Sequence, residues 1–548
     1  MLASWAFTIT CGGGGGGTTR DAAARLDGSP DSSRDGAIDP CAGGCAANTW
    51  DADHDPNTGT CGCEYQCVKI SDTDPIDDTY TDENCDGGDG IVAQCVYVST
   101  SLGDDANGTG TRQSPVKTLT RGIALAQANS IPAVCASGET YNEKVTVVSG
   151  INIYGGFDQA NAFKRSPTAI TTVQAAGVVF DAPQINADTY LAGLTIQATA
   201  NPVAGASVYG VRLVAGAAQL IVQYNTITVA NGNTGGSGTD GAAQLVATAD
   251  VGQNGTNGTA NGSAGGGGGA QGTCTEYGGK GGMGGYGVLS GDTGGSGTGG
   301  ATPGTGGHAD SQSFCSGVTG NNVGQPGGAA TVVGSNGTAG AGGLALGTIV
   351  AGDYKVASGA NGTIGGNGKG GSGGGGGGGG DQVGGTFCNP DRGGGGAAGG
   401  CGGLGGNFGI GGGGGGASFG VFAVAGHIVV GVNHITTGNG GNGGTGGKGA
   451  IGQVGGGGGT GGLAADDGGP GGNGGSGTNG GAGAPGGGGG GGPTACLAYG
   501  STALFSYSSN VVCVHGTAGQ GAAGGTFPSN AAGNAGAAGT AGATIQIP

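Results

Sequence analysis

One stretch of this chain is used twice. Residues 205–228 read GASVYGVRLVAGAAQLIVQYNTIT, and residues 416–436 read GASFGVFAVAGHIVVGVNHIT. Gly205, Ala206, Ser207, Gly210, Val211, Gly216, Asn225, Ile227 and Thr228 match Gly416, Ala417, Ser418, Gly420, Val421, Gly426, Asn433, Ile435 and Thr436, with two small length differences in the turns. A long glycine-rich stretch separates the copies. A repeat split in this way constrains the fold strongly. Each unit must bury its apolar face against a neighbouring unit, and whatever lies between units must leave the scaffold at a turn.

Glycine supplies 151 of 548 residues, against roughly 7% in ordinary proteins. Glycine buries no side chain and loses much backbone entropy on ordering, so one oily core cannot run through the whole chain. Charged residues are 9% of the total, whereas ordinary disordered segments are charge-rich. The net charge is −18, and residues 1–90 hold 17 of the 34 acids but 4 of the 16 bases. An acidic chain with scattered bases argues against nucleic acid as a partner, because phosphates need clustered Lys and Arg. No run of 18 apolar residues occurs, so no transmembrane helix is expected.

Short β-branched runs recur in VTVVSGINIYGG, TTVQAAGVVF, TYLAGLTIQA, SVYGVRLVAG and QLIVQYNTITV, separated by Gly, Asn or Asp turns. They have the length and alternation of strands. Stacked as coils, residues 191–198, 220–228, 428–436 and 510–517 are equivalent strands. SVYGVRLVAG, SFGVFAVAG and AYGSTALFSY (498–507) are their partners across a corner. The connections between partners are short at 199–206 and long at 230–416 and 438–496, so the insertions leave one corner. Asn225 and Asn433 fall at matching turns, which reads as a stacked asparagine ladder rather than catalysis.

Residues 102–111 (LGDDANGTGT), 114–128 (SPVKTLTRGIALAQA) and 138–157 (GETYNEKVTVVSGINIYGGF), with Gly138, Tyr141 and Glu143, resemble the opening of bacterial secreted or surface proteins with a pectin-lyase-like right-handed parallel β-helix. The resemblance implies an all-β solenoid opened by a short helix at about 118–128.

In 438–495, triplet-like Gly-Gly-x and Gly-x-x patterns dominate, with Asn, Thr, Ser and Ala at x. Proline is too sparse for collagen. Polyglycine-II-like segments with three residues per turn are expected, in which backbone pairing replaces a hydrophobic core. The other reading is a flexible Gly/Ser loop. The region resembles glycine-rich repeat proteins of bacterial surfaces.

There are fifteen cysteines. Cys41, Cys45, Cys61, Cys63, Cys67, Cys85, Cys95 and Cys135 form an early group of eight. Cys274, Cys315, Cys388, Cys401, Cys496 and Cys513 form a late group of six. Even groups suit disulfides in an oxidising compartment, with connectivity open. Cys11 follows the apolar stretch 2–10, which resembles a bacterial lipoprotein signal. That implies lipidation of Cys11 and an outer-membrane anchor; otherwise Cys11 is the odd thiol.

Asp51, Asp53 and Asp55 alternate in DADHDPNTGTCGC, a spacing used by oxygen-rich calcium loops, but Gly62 sits where an EF-hand has its Glu. DENCDGGDG, with Asp82, Glu83, Asp86 and Asp89, resembles the NCDG-x-DG element of metal-binding repeats in secreted bacterial proteins. Calcium at Asp51, Asp53, Asp55, Asp82, Asp86 and Asp89 stands against a solvated acidic linker stapled by disulfides.

A β-helix enzyme needs carboxylates and a cation converging on adjacent coils. Asp158, Asp181, Asp188, Lys164, Arg165 and Arg212 are the available groups, and no two are expected at matching positions of consecutive coils. No catalytic residue is assigned. The organisation expected is a signal remnant (1–11), a tether (12–40), an acidic Cys-rich module (41–95), a β-helix (96–230), a glycine insertion (231–416), one coil (417–437), a second insertion (438–495), and a last coil with a glycine-rich tail (496–548). The role expected is structural or adhesive, at a bacterial surface or in a matrix, with surface polysaccharide or matrix proteins as partners. The alternatives are a polysaccharide lyase or hydrolase, or an ice- or polysaccharide-binding protein.

Overall fold

The computed structural model describes residues 44–52, 57–246, 248–259, 264–309, 321–380, 390–529 and 531–548. The regular elements of the described residues are almost all strands, with one α-helix, Leu119–Asn129. The chain divides into two compact units, Met1–Val68 and Lys69–Pro548. In the smaller unit, Thr49–Trp50 and Tyr65–Gln66 pair antiparallel, Cys45 is bonded to Cys63, and the Trp50 indole N–H donates to the Cys67 carbonyl at 3.0 Å. The DENCDGGDG loop belongs to the larger unit.

Three parallel ladders make up the body of the larger unit. The first runs through Cys95–Val98, Ala133–Ser137, Asn152–Asp158, Thr189–Ala192 and Gln219–Gln223. The second runs through Val145–Thr146, Val178–Ala182 and Val208–Leu213. The third runs through Thr140–Tyr141, Thr171–Ala176, Leu194–Thr199, Asn225–Val229, Asn433–Thr437 and Val511–Val514. Two long strands, Ser418–Val430 and Thr494–Tyr507, serve the first and second ladders at once, because residues 418–423 continue the second and 427–430 the first. Ala541–Ile547 then extends the second ladder against residues 494–500.

Parallel register stacks like on like. Val96, Val134, Ile153, Leu191, Val222 and Val430 form one column, and Val145, Phe180, Val211, Val421 and Leu497 a second. Val173, Ile196, Ile227 and Ile435 form a third. All are buried. Each such side chain contributes about 1.5–3 kcal/mol by leaving water. The strand pattern shows why: Asn225–Val229 alternates buried and exposed residues, so its period of two aims every second side chain at the column.

One end of the ladders is closed by the helix. Thr118 caps it by accepting the Arg121 N–H at 3.1 Å, and Glu143 accepts the Leu119 and Thr120 N–H groups. Leu119, Ile123 and Ala126 are buried in the same core as Val98 and Val134. The helix lies one residue later than 118–128.

The last long strand differs from expectation. The pattern AYGSTALFSY places its start at Ala498, but it begins at Thr494, with Thr494 opposite Ser418 and Leu497 opposite Val421. A bulge near Gly500 absorbs the extra residue between the Ala423 and Ala425 pairings. The strand period alone cannot reveal an inserted residue.

The glycine-rich excursions are ordered by backbone hydrogen bonds. The N–H groups of Gly373, Gly376 and Gly379 donate to Gly295, Asp292 and Leu289; those of Gly374 and Gly377 to Ala397 and Gly394; those of Gly375 and Gly378 to Gln325 and Asn322. Each neighbour is met again every third residue. The carbonyls of the same segment accept from three further stretches, at 279–285, 304–307 and 469–475. Six neighbours leave no face free, and residues 373–380 are all glycine and all buried. A Cβ on Gly376 would lie 1.9 Å from the Met283 carbonyl oxygen.

At the margin of the excursions the pattern relaxes. Gly232, Gly235, Gly238 and Gly241 donate to Asn439, Asn442, Thr445 and Lys448, while the residues between, Gly236 apart, carry side chains. Marginal Asn and Asp side chains accept N–H groups of the next segment: Asn231 from Asn439, Asn439 from Thr517, and Asp240 from Lys448, at 2.7–2.8 Å. The number of glycines per triplet therefore tracks how many faces of a segment are covered.

Candidate functional site

The most concentrated charge in the larger unit is the acidic loop 72–92. Each carboxylate first serves its own turn. Asp82 accepts the Cys85 N–H at 2.6 Å and the Gly87 N–H at 2.9 Å. Asp86 accepts the Val92 N–H at 2.8 Å, and Asp74 the Gly90 N–H at 2.9 Å. Gly87 and Gly90 take φ of +97° and +93°, which side-chain-bearing residues avoid.

This folding brings one oxygen from each of Asp74, Asp82 and Asp86 within 4.8 Å of the others. Asp74 is 6% exposed, and its Oδ1 and the Oδ1 of Asp86 are buried without a hydrogen-bond partner. Burial, then the Glu83 carboxyl, then the Asp89 charge push Asp74 up to about 8. Burial likewise raises Asp86. Crowded, desolvated carboxylates disfavour their ionised forms unless a cation or proton joins them. Hard oxygen donors with two open lone-pair positions suit a hard divalent cation such as calcium.

Asp89 stands apart from this trio. Its Oδ2 lies 2.8 Å from Arg165 Nη1, with both side chains 1% exposed. Arg165 also donates to the Gly155 carbonyl at 2.9 Å and to the Asp77 carbonyl, and it lies over the Tyr80 ring. Burial raises Asp89 to about 6, against the pull of Arg165. The pair clips the acidic loop to the strand Asn152–Asp158. Asp51 lies in the smaller unit, where the neighbouring Ala52 N–H donates to Glu64 at 2.8 Å. Asp53, Asp55, Cys11, Cys41, Cys315 and Cys388 lie outside the described residues.

Asp74 was not singled out from the sequence. It lies in a DTDP turn with no spacing signal, and only the fold of the loop brings it to Asp82 and Asp86.

One expectation is overturned. Asp181 and Arg212 do occupy matching positions of adjacent strands. They form a two-pronged ion pair at 2.9 and 3.0 Å across a step of 31 residues. Lys144 adds a 2.7 Å contact to Asp181, and Asp353 lies 3.4 Å from Arg212. The step length depends on the turns, which strand patterning does not set. Burial works against the Asp181 charge, but Arg212 and Lys144 together hold its pKa low. A carboxylate so satisfied is a weak proton acceptor. A cavity of about 400 Å³ beside it is lined by Lys144, Tyr209, Arg212, Asp353 and Lys355. Asp188 accepts the Gln219 N–H at 3.0 Å, and Lys164 pairs antiparallel with Asp158.

Disulfides join Cys95 to Cys135, Cys274 to Cys401 and Cys496 to Cys513, and Cys61, Cys67 and Cys85 are also disulfide-bonded. Such density fits an oxidising compartment.

No protein-family model matches the chain, and no curated protein or solved structure matches it significantly.

Proposed function

We propose that this is a non-enzymatic structural or adhesive protein of the bacterial cell surface or extracellular matrix. In this reading the three ladders are a right-handed parallel β-helix of the pectin-lyase-like kind. The excursions are polyglycine-II bundles that project from one corner. The observation that carries the reading is the backbone pairing of residues 373–379 with six neighbours, which builds a stiff body from residues with nothing to offer chemistry. Disulfides across both parts suit a protein outside the cytoplasm. Cys11 is the proposed lipid attachment point, and surface polysaccharide or other matrix proteins are the proposed partners.

Calcium at Asp74, Asp82 and Asp86 would neutralise the buried carboxylates and stiffen the acidic loop. Titration calorimetry should show heat with calcium that Asp82→Asn loses; absence of heat in the wild type removes the ion from the reading.

The role itself is tested in cells. The protein should be open to protease on intact bacteria, and its deletion should weaken cohesion between cells or to a surface. Polysaccharide turnover should not change. Release of reducing sugar from an acidic polysaccharide by purified protein, abolished by Asp181→Asn, would favour the enzyme instead. A fatty-acid analogue should label wild type but not Cys11→Ser.

A further inference from the structure

The first long glycine insertion sends a short hairpin back onto the ladders. Its strands, Thr348–Val350 and Asp353–Lys355, pair antiparallel. Tyr354 is 2% exposed and packs edge-on against Phe419, with ring centroids 5.5 Å apart. The strand period puts Asp353 and Lys355 on the opposite face from that anchor. Both line the cavity of about 400 Å³ that also holds Lys144 and Arg212. Ladder and insertion therefore build this cavity together.

Charges of opposite sign alternate across it. Lys144 meets Asp181 at 2.7 Å, Asp181 meets Arg212 at 2.9 Å, Arg212 meets Asp353 at 3.4 Å, and Asp353 meets Lys355 at 3.7 Å. The series begins and ends on a lysine, so three cations face two carboxylates. Residues 91–548 hold 12 bases, and three of them gather here. In a chain of net charge −18, a local excess of positive charge attracts an anion.

Donors also outnumber acceptors. Asp181 occupies Nε and Nη2 of Arg212, leaving Nη1 with the 3.4 Å approach to Asp353. Asp353 Oδ1 is already taken by the Tyr209 hydroxyl. The Lys355 side chain is 60% exposed, and its ammonium stands beyond hydrogen-bond reach of Asp353. Charged N–H donors in this arrangement fit a carboxylate.

A second cavity, of about 460 Å³, adjoins the first and shares Lys144 and Ala176 with it. Asn142, Gln174 and Thr199 give it amide and hydroxyl groups. A charged cavity beside a neutral polar one makes a groove, which fits an extended, hydroxyl-rich chain better than a compact molecule.

We propose that this groove binds an acidic polysaccharide, with one sugar carboxylate held by Lys144, Arg212 and Lys355 and the next sugar's hydroxyls held by Asn142, Gln174 and Thr199. Asp181 orients Arg212 and Lys144 for that contact. The proposal rests on the surface role proposed above and gives its polysaccharide partner a site and a charge.

Titration calorimetry of the full chain with hexamannuronate, a six-sugar oligouronate, tests it. Wild type should bind. The methyl ester of the same oligomer should bind at least tenfold more weakly, and so should Lys355→Gln and Lys144→Gln acting on the free acid. Lys117→Gln, an exposed cation outside the groove, should bind as wild type does. Circular dichroism checks that each variant is folded. Absence of binding at roughly 1 mM probe overturns the proposal. So does an ester that binds equally well, a folded Lys355→Gln that binds like wild type, or hexaglutamate bound as tightly as the sugar. Chain length of the probe after incubation separates this site from the role it rests on. Binding with cleavage upholds the groove and overturns the non-enzymatic reading, whereas loss of the groove leaves the structural role standing.

Discussion

The side chains of Asn225 and Asn433 are 208 residues apart in the chain and meet at 3.1 Å. Asn433 Oδ1 also accepts the Asn225 backbone N–H at 2.9 Å. Asn225 in turn accepts the Leu194 N–H and donates to the Leu191 carbonyl, while Asn433 donates to the Val222 carbonyl. Each asparagine is 3% exposed and closes the turn between two ladders in its own layer while bracing the layer beside it. Asn433→Ala should therefore leave buried donors and acceptors unmet and lower stability by ~1–3 kcal/mol. The exposed Thr226→Ala serves as control, and indistinguishable melting of the two variants would remove the ladder from the account.

The glycine bundle makes a sharp contrast between two alanine substitutions. Gly376→Ala drives a Cβ to 1.9 Å from the Met283 carbonyl oxygen, whereas Gly457→Ala meets nothing within 4 Å. Overpacking a closed site costs about 1–3 kcal/mol or more. Hydrogen exchange should accelerate across 370–380 in the first variant and stay at the wild-type rate in the second. Wild-type amides in 438–495 exchanging as fast as in a denatured peptide would show that the backbone pairing is not there.

Cys274 and Cys401 tie two glycine segments together across 127 residues. Closing a loop of that length restricts the unfolded chain, with a stabilisation of about 2–4 kcal/mol. The double variant Cys274→Ala, Cys401→Ala should melt earlier than wild type by a corresponding margin. A thermal scan showing no change would mean that the backbone ladders alone hold the segments.

Glu139 sets a pH dependence. Burial opposes its charge, but hydrogen bonds from Ser101, Ser137, Ser99 and Thr100 outweigh that and bring its pKa from 4.5 down to about 2. A carboxylate whose pKa is lower folded than unfolded stabilises the fold above the unfolded value. That contribution is lost as pH falls from about 4.5 to about 2, and amounts to roughly 1–2 kcal/mol once solvent screening is allowed for. Glu139→Gln should flatten this part of the stability curve, read by chemical denaturation at pH 3 and pH 6. An unchanged slope would mean that another carboxylate governs it.

Much of the scaffold is legible in the chain. The matches between 205–228 and 416–436 pick out strands that do stack, with Asn225 on Asn433 and Ile227 on Ile435. Alternation in 194–199 and 225–229 marks which side chains enter the columns. Turn lengths are not legible in this way, so neither the pairing of Asp181 with Arg212 nor the start of the strand at Thr494 follows from the sequence. The tail after 515 reads as one more glycine run, yet it pairs with 438–449 and returns as the strand Ala541–Ile547. The alternation of Thr544, Ile545, Gln546 and Ile547 marks a strand there, but its partner in another layer cannot be read locally.

The amino-acid sequence by itself determined periodicities: two in the strands, three in the glycine segments, and a repeat linking distant coils. These follow from side-chain size and backbone freedom, which are local properties. Tertiary structure decided which segment lies beside which, which carboxylates Asp74 would meet, and that Asp181 faces Arg212. Those outcomes depend on hydrogen bonds between residues tens to hundreds apart, and glycine, which has no side chain, gives no local sign of the neighbour it will meet.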